Sequence, residues 1–121
     1  MSLRVLMIED DQNLAGMVAE YLGTMGMKLT IRATAADGLK TVRQGGVEAV
    51  ILDVMLPDLD GFEICRRIKR ELRLTAPVVM MTSRNTKRDR MQGVLVEADD
   101  YLVKPVQHQE LEAVLSKYLG E

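Results

Sequence analysis

A chain of 121 residues has the size of one domain, and with 47% apolar and 28% charged residues, Lys+Arg 16 against Asp+Glu 18, it is neither disordered nor a polybasic nucleic-acid binder. The single cysteine, Cys65, excludes an intrachain disulfide and any multi-cysteine metal site, and it suits a reducing compartment. No apolar run approaches the ~18 residues of a membrane span, so the expectation is one domain over 1–121, cytoplasmic, without direct membrane or nucleic-acid contact. Met1-Ser2-Leu3 and Gly120-Glu121 read as candidate cloning remnants, which leaves room for a longer natural chain.

Short apolar runs alternate with amphipathic stretches five times. Val5-Leu6-Met7-Ile8 is too short for a buried helix and suits a strand covered on both faces. Asp11 then stands as N-cap of a helix carrying Leu14, Val18, Tyr21, Leu22 and Met25. Leu29-Thr30-Ile31 reads as a weaker strand, and Thr34 with Asp37 as the capping box of a second helix, with Leu39 and Val42 on its apolar face and Gly45-Gly46 at its end. Ala49-Val50-Ile51-Leu52 is a third strand terminated by Asp53.

The same grammar continues in the second half. Pro57, Asp58, Asp60 and Gly61 make a turn-rich loop before a helix with Phe62, Cys65, Ile68 and Leu72 on one face. Pro77 to Met81 is a fourth strand ending at Thr82. Thr86 and Asp89 cap a fourth helix, expected to turn Met91, Val94, Leu95 and Ala98 inward, although Gly93 costs it ~1 kcal/mol. Tyr101-Leu102-Val103 is a fifth strand ending at Lys104-Pro105, and Leu111, Val114, Leu115 and Tyr118 mark a last helix. Five strand-then-helix units predict an α/β fold with a doubly wound parallel sheet.

Ligands of such sheets bind beyond the carboxyl ends of the strands. Those ends carry Glu9-Asp10-Asp11, Asp53, Thr82-Ser83 and Lys104. Two like charges ~4 Å apart repel by about 4 kcal/mol at an effective dielectric near 20, so clustered carboxylates need a cation. Lys104 offsets part of that charge. A hard divalent ion held by oxygens, Mg²⁺ by preference, is the simplest remaining partner. Asp53 then reads as a carboxylate nucleophile toward a phosphoryl donor, with Lys104 and the Thr82 hydroxyl at the transferring oxygens. Taken singly, each residue has a plainer reading: Asp11 as a helix cap, Asp53 as a turn former, Thr82 as a strand-end hydroxyl and Lys104 as a surface residue. Their joint position at four strand ends is what raises them.

Val5 to Asp11, Ile51 to Glu63, Pro77 to Ser83 and Ala98 to Pro105, in this order and spacing, resemble the receiver domain of two-component response regulators over essentially the whole chain. The resemblance implies a five-stranded, flavodoxin-like (βα)5 fold with strand order 2-1-3-4-5. It implies that Asp53 is phosphorylated by a sensor histidine kinase or phosphotransfer protein, and that Glu9, Asp10, Asp53 and the Met55 carbonyl surround Mg²⁺, Glu9 through water. Thr82 and Tyr101 become switch residues, the bond before Pro105 is expected cis, and the face made by helix 4, strand 5 and helix 5 meets an output domain or protein, with homodimerisation on phosphorylation a further expectation. Such a chain is not a conventional enzyme and catalyses only its own phosphorylation and dephosphorylation.

Three departures from the family pattern stand out: Glu97 in place of Gly, Val106 in place of an aromatic residue and Ser83 in place of Ala. Met55 and Arg84 occupy the two positions that influence loss of the phosphoryl group. Two alternatives compete with the switch, a metal-dependent phosphatase with an aspartyl nucleophile and a receiver-like module that is not phosphorylated. Of the remaining residues, Arg84, Lys87, Arg88 and Arg90 read as a solvated helix start, His108 as surface, Cys65 as an inert core thiol, and the nine Met residues as gap-fillers.

Overall fold

A computed structural model describes residues 3–119. Met1, Ser2, Gly120 and Glu121, which belong to the candidate cloning remnants, lie outside the described residues. The chain alternates β1 (Arg4–Ile8), α1 (Gln12–Thr24), β2 (Lys28–Arg32), α2 (Ala35–Gln44), β3 (Ala49–Leu52), α3 (Gly61–Arg66), β4 (Val78–Thr82), α4 (Lys87–Leu95), β5 (Asp100–Val103) and α5 (His108–Leu119). All neighbouring strands pair in parallel, in the order β2-β1-β3-β4-β5. The expected sheet and its order are therefore observed.

Successive strand residues point to opposite faces, and this separates two cores. Leu6, Ile8, Val50, Leu52, Val78 and Met80 pack under α2 and α3 with Leu39, Ile64 and Ile68. Val5, Met7, Ala49, Ile51, Val79 and Met81 pack under α1 and α5 with Val18, Leu22, Leu111 and Leu115. Burial on both faces is why β1, β3 and β4 read as unbroken apolar runs. Among the described residues no helix is long and apolar enough to cross a membrane.

The caps follow the sequence. Asp11 Oδ1 accepts from the N–H groups of Asn13 (3.0 Å) and Leu14 (3.1 Å), and Thr86 and Asp89 form the capping box of α4. At α2 the expected Thr34–Asp37 capping box is half made, the Thr34 hydroxyl accepting from the Asp37 N–H at 3.2 Å, and a distant partner completes the cap: both Asp58 carboxylate oxygens accept from the first N–H groups, Ala35 at 2.9 Å and Ala36 at 3.1 Å.

Three expectations fail. The third helix does not keep one pitch: beyond Arg66 it widens into a π-helical turn, Arg67–Glu71, closed by the Leu72 N–H on the Arg67 carbonyl at 2.8 Å. The larger failure is at α4, where Met91, Val94 and Leu95 are 59%, 69% and 56% exposed and the buried residues are Asp89 and Gly93. The helix approaches the sheet through Gly93, where an added Cβ would lie 3.1 Å from the Tyr101 ring. The apolar residues are thereby turned outward, and only Val96 and Ala98, past its end, reach the core. His108 is half-buried rather than surface, its ring stacked on Tyr21 at a centroid distance of 4.5 Å.

α3 and its π turn supply side chains to the last carbonyls of α4. Arg70 Nη2 donates to Leu95 O at 2.7 Å, Cys65 Sγ to Val96 O at 3.4 Å, and Arg70 Nε to Glu97 Oε2 at 3.2 Å. Cys65 is fully buried, which pushes its thiol up to about 12 and leaves it the inert core residue expected.

Glu97 has φ 67°, a left-handed conformation that favours glycine. Glu97→Gly is expected to raise unfolding stability by about 0.5 kcal/mol, the relieved strain less the extra freedom of the unfolded chain; a lower denaturant midpoint would contradict this. The Ala35 N–H, with that of Ala36, holds the Asp58 carboxyl below its ordinary 3.8. Its contribution is present above that value and disappears as pH falls through the depressed one. Asp58→Ala should cost about 1 kcal/mol at neutral pH, and urea titrations should show the gap to the parent closing in strong acid.

Candidate functional site

Four strands end at one rim because the sheet is parallel. Glu9 and Asp10 follow β1, Asp53 follows β3, Thr82 ends β4 and Lys104 follows β5. Lys104 Nζ donates to Glu9 Oε1 at 2.6 Å and to Asp53 Oδ2 at 2.9 Å. Glu9, Asp10 and Asp53 each bring a carboxylate oxygen within 4.8 Å of the others. Glu9 is 1% exposed and Asp53 6%, while Asp10 lies open to solvent.

Three carboxylates thus share one ammonium. Burial pushes the Glu9 carboxyl above the usual range against the opposing hydrogen bond from Lys104. Burial alone would lower the Lys104 ammonium, but its hydrogen bonds to Glu9 and Asp53 outweigh it and hold the amine charged. The remaining oxygens are partly satisfied by backbone: the Asp11 N–H donates to Glu9 Oε2 at 3.1 Å and the Met55 N–H to Asp53 Oδ1 at 3.2 Å.

The loop after Asp53 is folded tightly over it. Gly61 N donates to Val54 O at 2.8 Å, Asp60 Oδ1 caps α3 by accepting from the Phe62 N–H at 2.7 Å, and a Cβ on Gly61 would overlap the Asp53 carbonyl oxygen. Only glycine permits α3 to begin there. The loop walls a cleft of about 560 Å³ bordered by Asp10, Met55, Asp58, Asp60 and Arg84.

Not every expected residue joins the carboxylate cluster. Thr82 is fully buried, and its Oγ1 accepts from the Arg84 N–H at 3.4 Å. Tyr101, half-buried, donates from its hydroxyl to Arg84 O at 2.7 Å. Met55 is 58% exposed, with Sδ 3.9 Å from Ser83 Oγ. The Lys104-Pro105 peptide bond is cis. Sequence reading underrated two residues that shape the site: Gly61, and Arg84, whose guanidinium pairs with Asp89 at 2.8 Å and so is not the freely solvated charge expected. Gly61 was readable as the end of an Asp-x-Asp-Gly turn, but its contact with Asp53 was not.

The model of the response regulator receiver domain matches residues 5–116. Transcriptional regulatory protein AfsQ1 of Streptomyces coelicolor is 42% identical over 109 residues, covering 90% of this chain and 48% of that protein. TcrA of Mycobacterium tuberculosis, also a transcriptional regulatory protein, is 40% identical over 113 residues, covering 93% and 44%. The chain therefore spans about half the length of the curated relatives it matches. Among solved structures, the BeF3-activated DrrB receiver domain, a Thermotoga maritima protein, superposes with TM-score 0.90 at 33% identity, each chain fully covered. A CheY-like receiver domain protein from Methanospirillum hungatei gives TM-score 0.93 at 25% identity, with 99% of this chain and 95% of that one covered. With the family model matched over nearly its entire length and the acids and the lysine of its strand ends drawn together, this chain belongs to the response regulator receiver domains.

Proposed function

We propose that Asp53 is the phosphoacceptor of a signalling switch. The observation that carries this reading is the Asp53 carboxylate, 6% exposed, held by Lys104 at the floor of an acidic rim. An Asp53 oxygen attacks the phosphorus of a phosphohistidine on a sensor kinase or phosphotransfer protein. The new O–P bond forms as the P–N bond breaks, and its electron pair leaves with the imidazole. Lys104 neutralises charge on the phosphoryl oxygens, and Thr82 donates to one of them.

The donor set fits a hard divalent cation: three carboxylates, no imidazole or thiolate, and a single ammonium that leaves two negative charges uncompensated. Glu9, Asp10 and Asp53, with the Met55 carbonyl, would hold Mg²⁺, which when bound screens the negative charge of donor and acceptor. The chain acts on itself rather than turning over an external substrate, and loss of the phosphoryl group is its own slow hydrolysis. Met55 presents a thioether where a phosphatase would need a second acid, so the enzyme reading is not retained.

The added charge, about −1.5 to −2, biases Thr82 and Tyr101 and with them the α4–β5–α5 face. Met91, Val94 and Leu95, exposed on α4, support the use of that helix as a docking surface. The names and greater length of the relatives support an output domain or partner in transcriptional control, reached in the cytoplasm, with pairing of two copies as one form of that output.

Four outcomes are expected. With Mg²⁺ and an acyl phosphate, intact-mass spectrometry should show one phosphoryl group per chain, absent from Asp53→Asn. Mg²⁺ should raise the thermal midpoint by mass action, and Asp10→Asn should remove that gain. Lys104→Met strands Glu9 without its cation and should cost about 3 kcal/mol in denaturant unfolding; an unchanged midpoint would refute the role given to that pair. Because Met55 offers no group to orient water, the acyl phosphate should outlast minutes and shorten severalfold in Met55→Asn, as followed by phosphate release.

A further inference from the structure

Arg84 stands where three parts of the molecule meet. On the loop between β4 and α4, its N–H donates to Thr82 Oγ1 and its carbonyl accepts from the Tyr101 hydroxyl. Its Nη2 lies 2.8 Å from Asp89 Oδ1, in the first turn of α4. The guanidinium sits 5.9 Å from the centroid of the Phe62 ring. The residue borders both the cleft beside Asp10 and Met55 and a second groove of about 590 Å³ between α3 and α4. Its neighbour Arg90 is otherwise engaged, bonded to Asn85 Oδ1 at 2.9 Å and lying over the Tyr101 ring. Arg84 is the basic residue at the cleft.

Its present partner is a single carboxylate that does not depend on it. Asp89 Oδ2 accepts from the Thr86 N–H at 3.1 Å, and the Asp89 N–H donates to Thr86 Oγ1 at 3.1 Å. That capping bond, with help from Arg84, keeps the carboxyl below its ordinary range. A phosphoryl group on Asp53 would offer about twice the charge of a carboxylate and several acceptor oxygens, in a rim where three acids already share one ammonium. A planar guanidinium that is itself part-exposed and has one carboxylate partner gains by moving to such a group, since charge-assisted bonds to phosphoryl oxygens are among the strongest available. Asp89 keeps its bond from the Thr86 N–H when Arg84 departs, so its buried carboxylate is not left without a donor.

We infer that Arg84 is a second phosphoryl-binding cation, which exchanges its ion pair with Asp89 for one with the phosphoryl group on Asp53 and carries the change to α4. The inference rests on the phosphorylation of Asp53 proposed above. Backbone geometry links the exchange to the rest of the switch: the bonds to Thr82 and Tyr101 are made by the same residue, so movement of its side chain toward the cleft loads both. Arg84 is thus a phosphoryl-binding residue of the phosphorylated state and a carrier of its signal.

The test uses the full chain, Mg²⁺ and a small acyl phosphate, and reads the half-saturating donor concentration together with the guanidinium NMR signal of Arg84. Arg84→Gln should raise that concentration about tenfold, as expected for one lost charge-assisted bond, and Arg84→Lys should fall between it and the parent. Asp89→Asn retains a capping side chain at Thr86 while releasing Arg84, and should lower the concentration; a merely structural role for the pair would move both variants in one direction. In the parent, the Arg84 signal should shift on phosphorylation, and in Asp89→Asn it should start nearer its phosphorylated position. Parallel effects of the two variants, or an Arg84 signal indifferent to phosphorylation, would overturn the exchange. A parent that accepts no phosphoryl group on Asp53 would instead remove the underlying reading of the site, a result distinguishable from a phosphorylated parent in which Arg84 is idle.

Discussion

The repulsion among Glu9, Asp10 and Asp53, answered by the single ammonium of Lys104, is the constraint on which the rest of the molecule turns. A parallel sheet collects the ends of its strands on one side, and those ends here are acidic. Carboxylates drawn so close are unfavourable unless a cation is supplied. Lys104 supplies part of it from the end of the edge strand β5, at 2.6 Å and 2.9 Å. The deficit that remains is the charge that the proposed divalent ion would answer.

The scaffold is built to keep that arrangement in register. Two separate cores clamp the central strands on both faces, so β1 and β3, which deliver Glu9 and Asp53, are among the most buried elements. The loop beyond Asp53 is fastened at both flanks, through Gly61 to the Val54 carbonyl and through Asp58 to the start of α2. Rigidity is concentrated where the chemistry is proposed. Polar single contacts, such as Thr82 with Arg84 and Arg84 with Asp89, are concentrated where movement is proposed.

Much of this was legible in the sequence because local rules and the global fold agree. Continuous apolar runs at β1, β3 and β4 announced strands buried twice over, Asp11, Thr34 and Thr86 announced helix starts, and Lys104 and the acids stood at run ends where a parallel sheet must gather them. What escaped was set by tertiary contact. The outward turn of Met91, Val94 and Leu95 depends on Gly93 meeting the Tyr101 ring, and periodicity cannot distinguish an apolar stripe facing the core from one facing a partner. The π turn at Arg67–Glu71 has no local signature in a run of good helix formers, and the reach of Asp58 to α2 spans 23 residues of sequence. Glu97 was visible as a departure from the family pattern, and its left-handed backbone gives that departure a physical meaning.

The two ends of α4 are held by very different means. Arg70 and Cys65 reach from α3 to the carbonyls of Leu95 and Val96, while the ion pair that ties the opposite end to the loop beside the site is the one between Arg84 and Asp89. If that pair is exchanged as proposed above, the side-chain tie left at the Lys87 end is the bond from Arg90 to Asn85 at 2.9 Å, so displacement of α4 is expected to be larger at Lys87 than at Val96, tilting the exposed apolar residues between them.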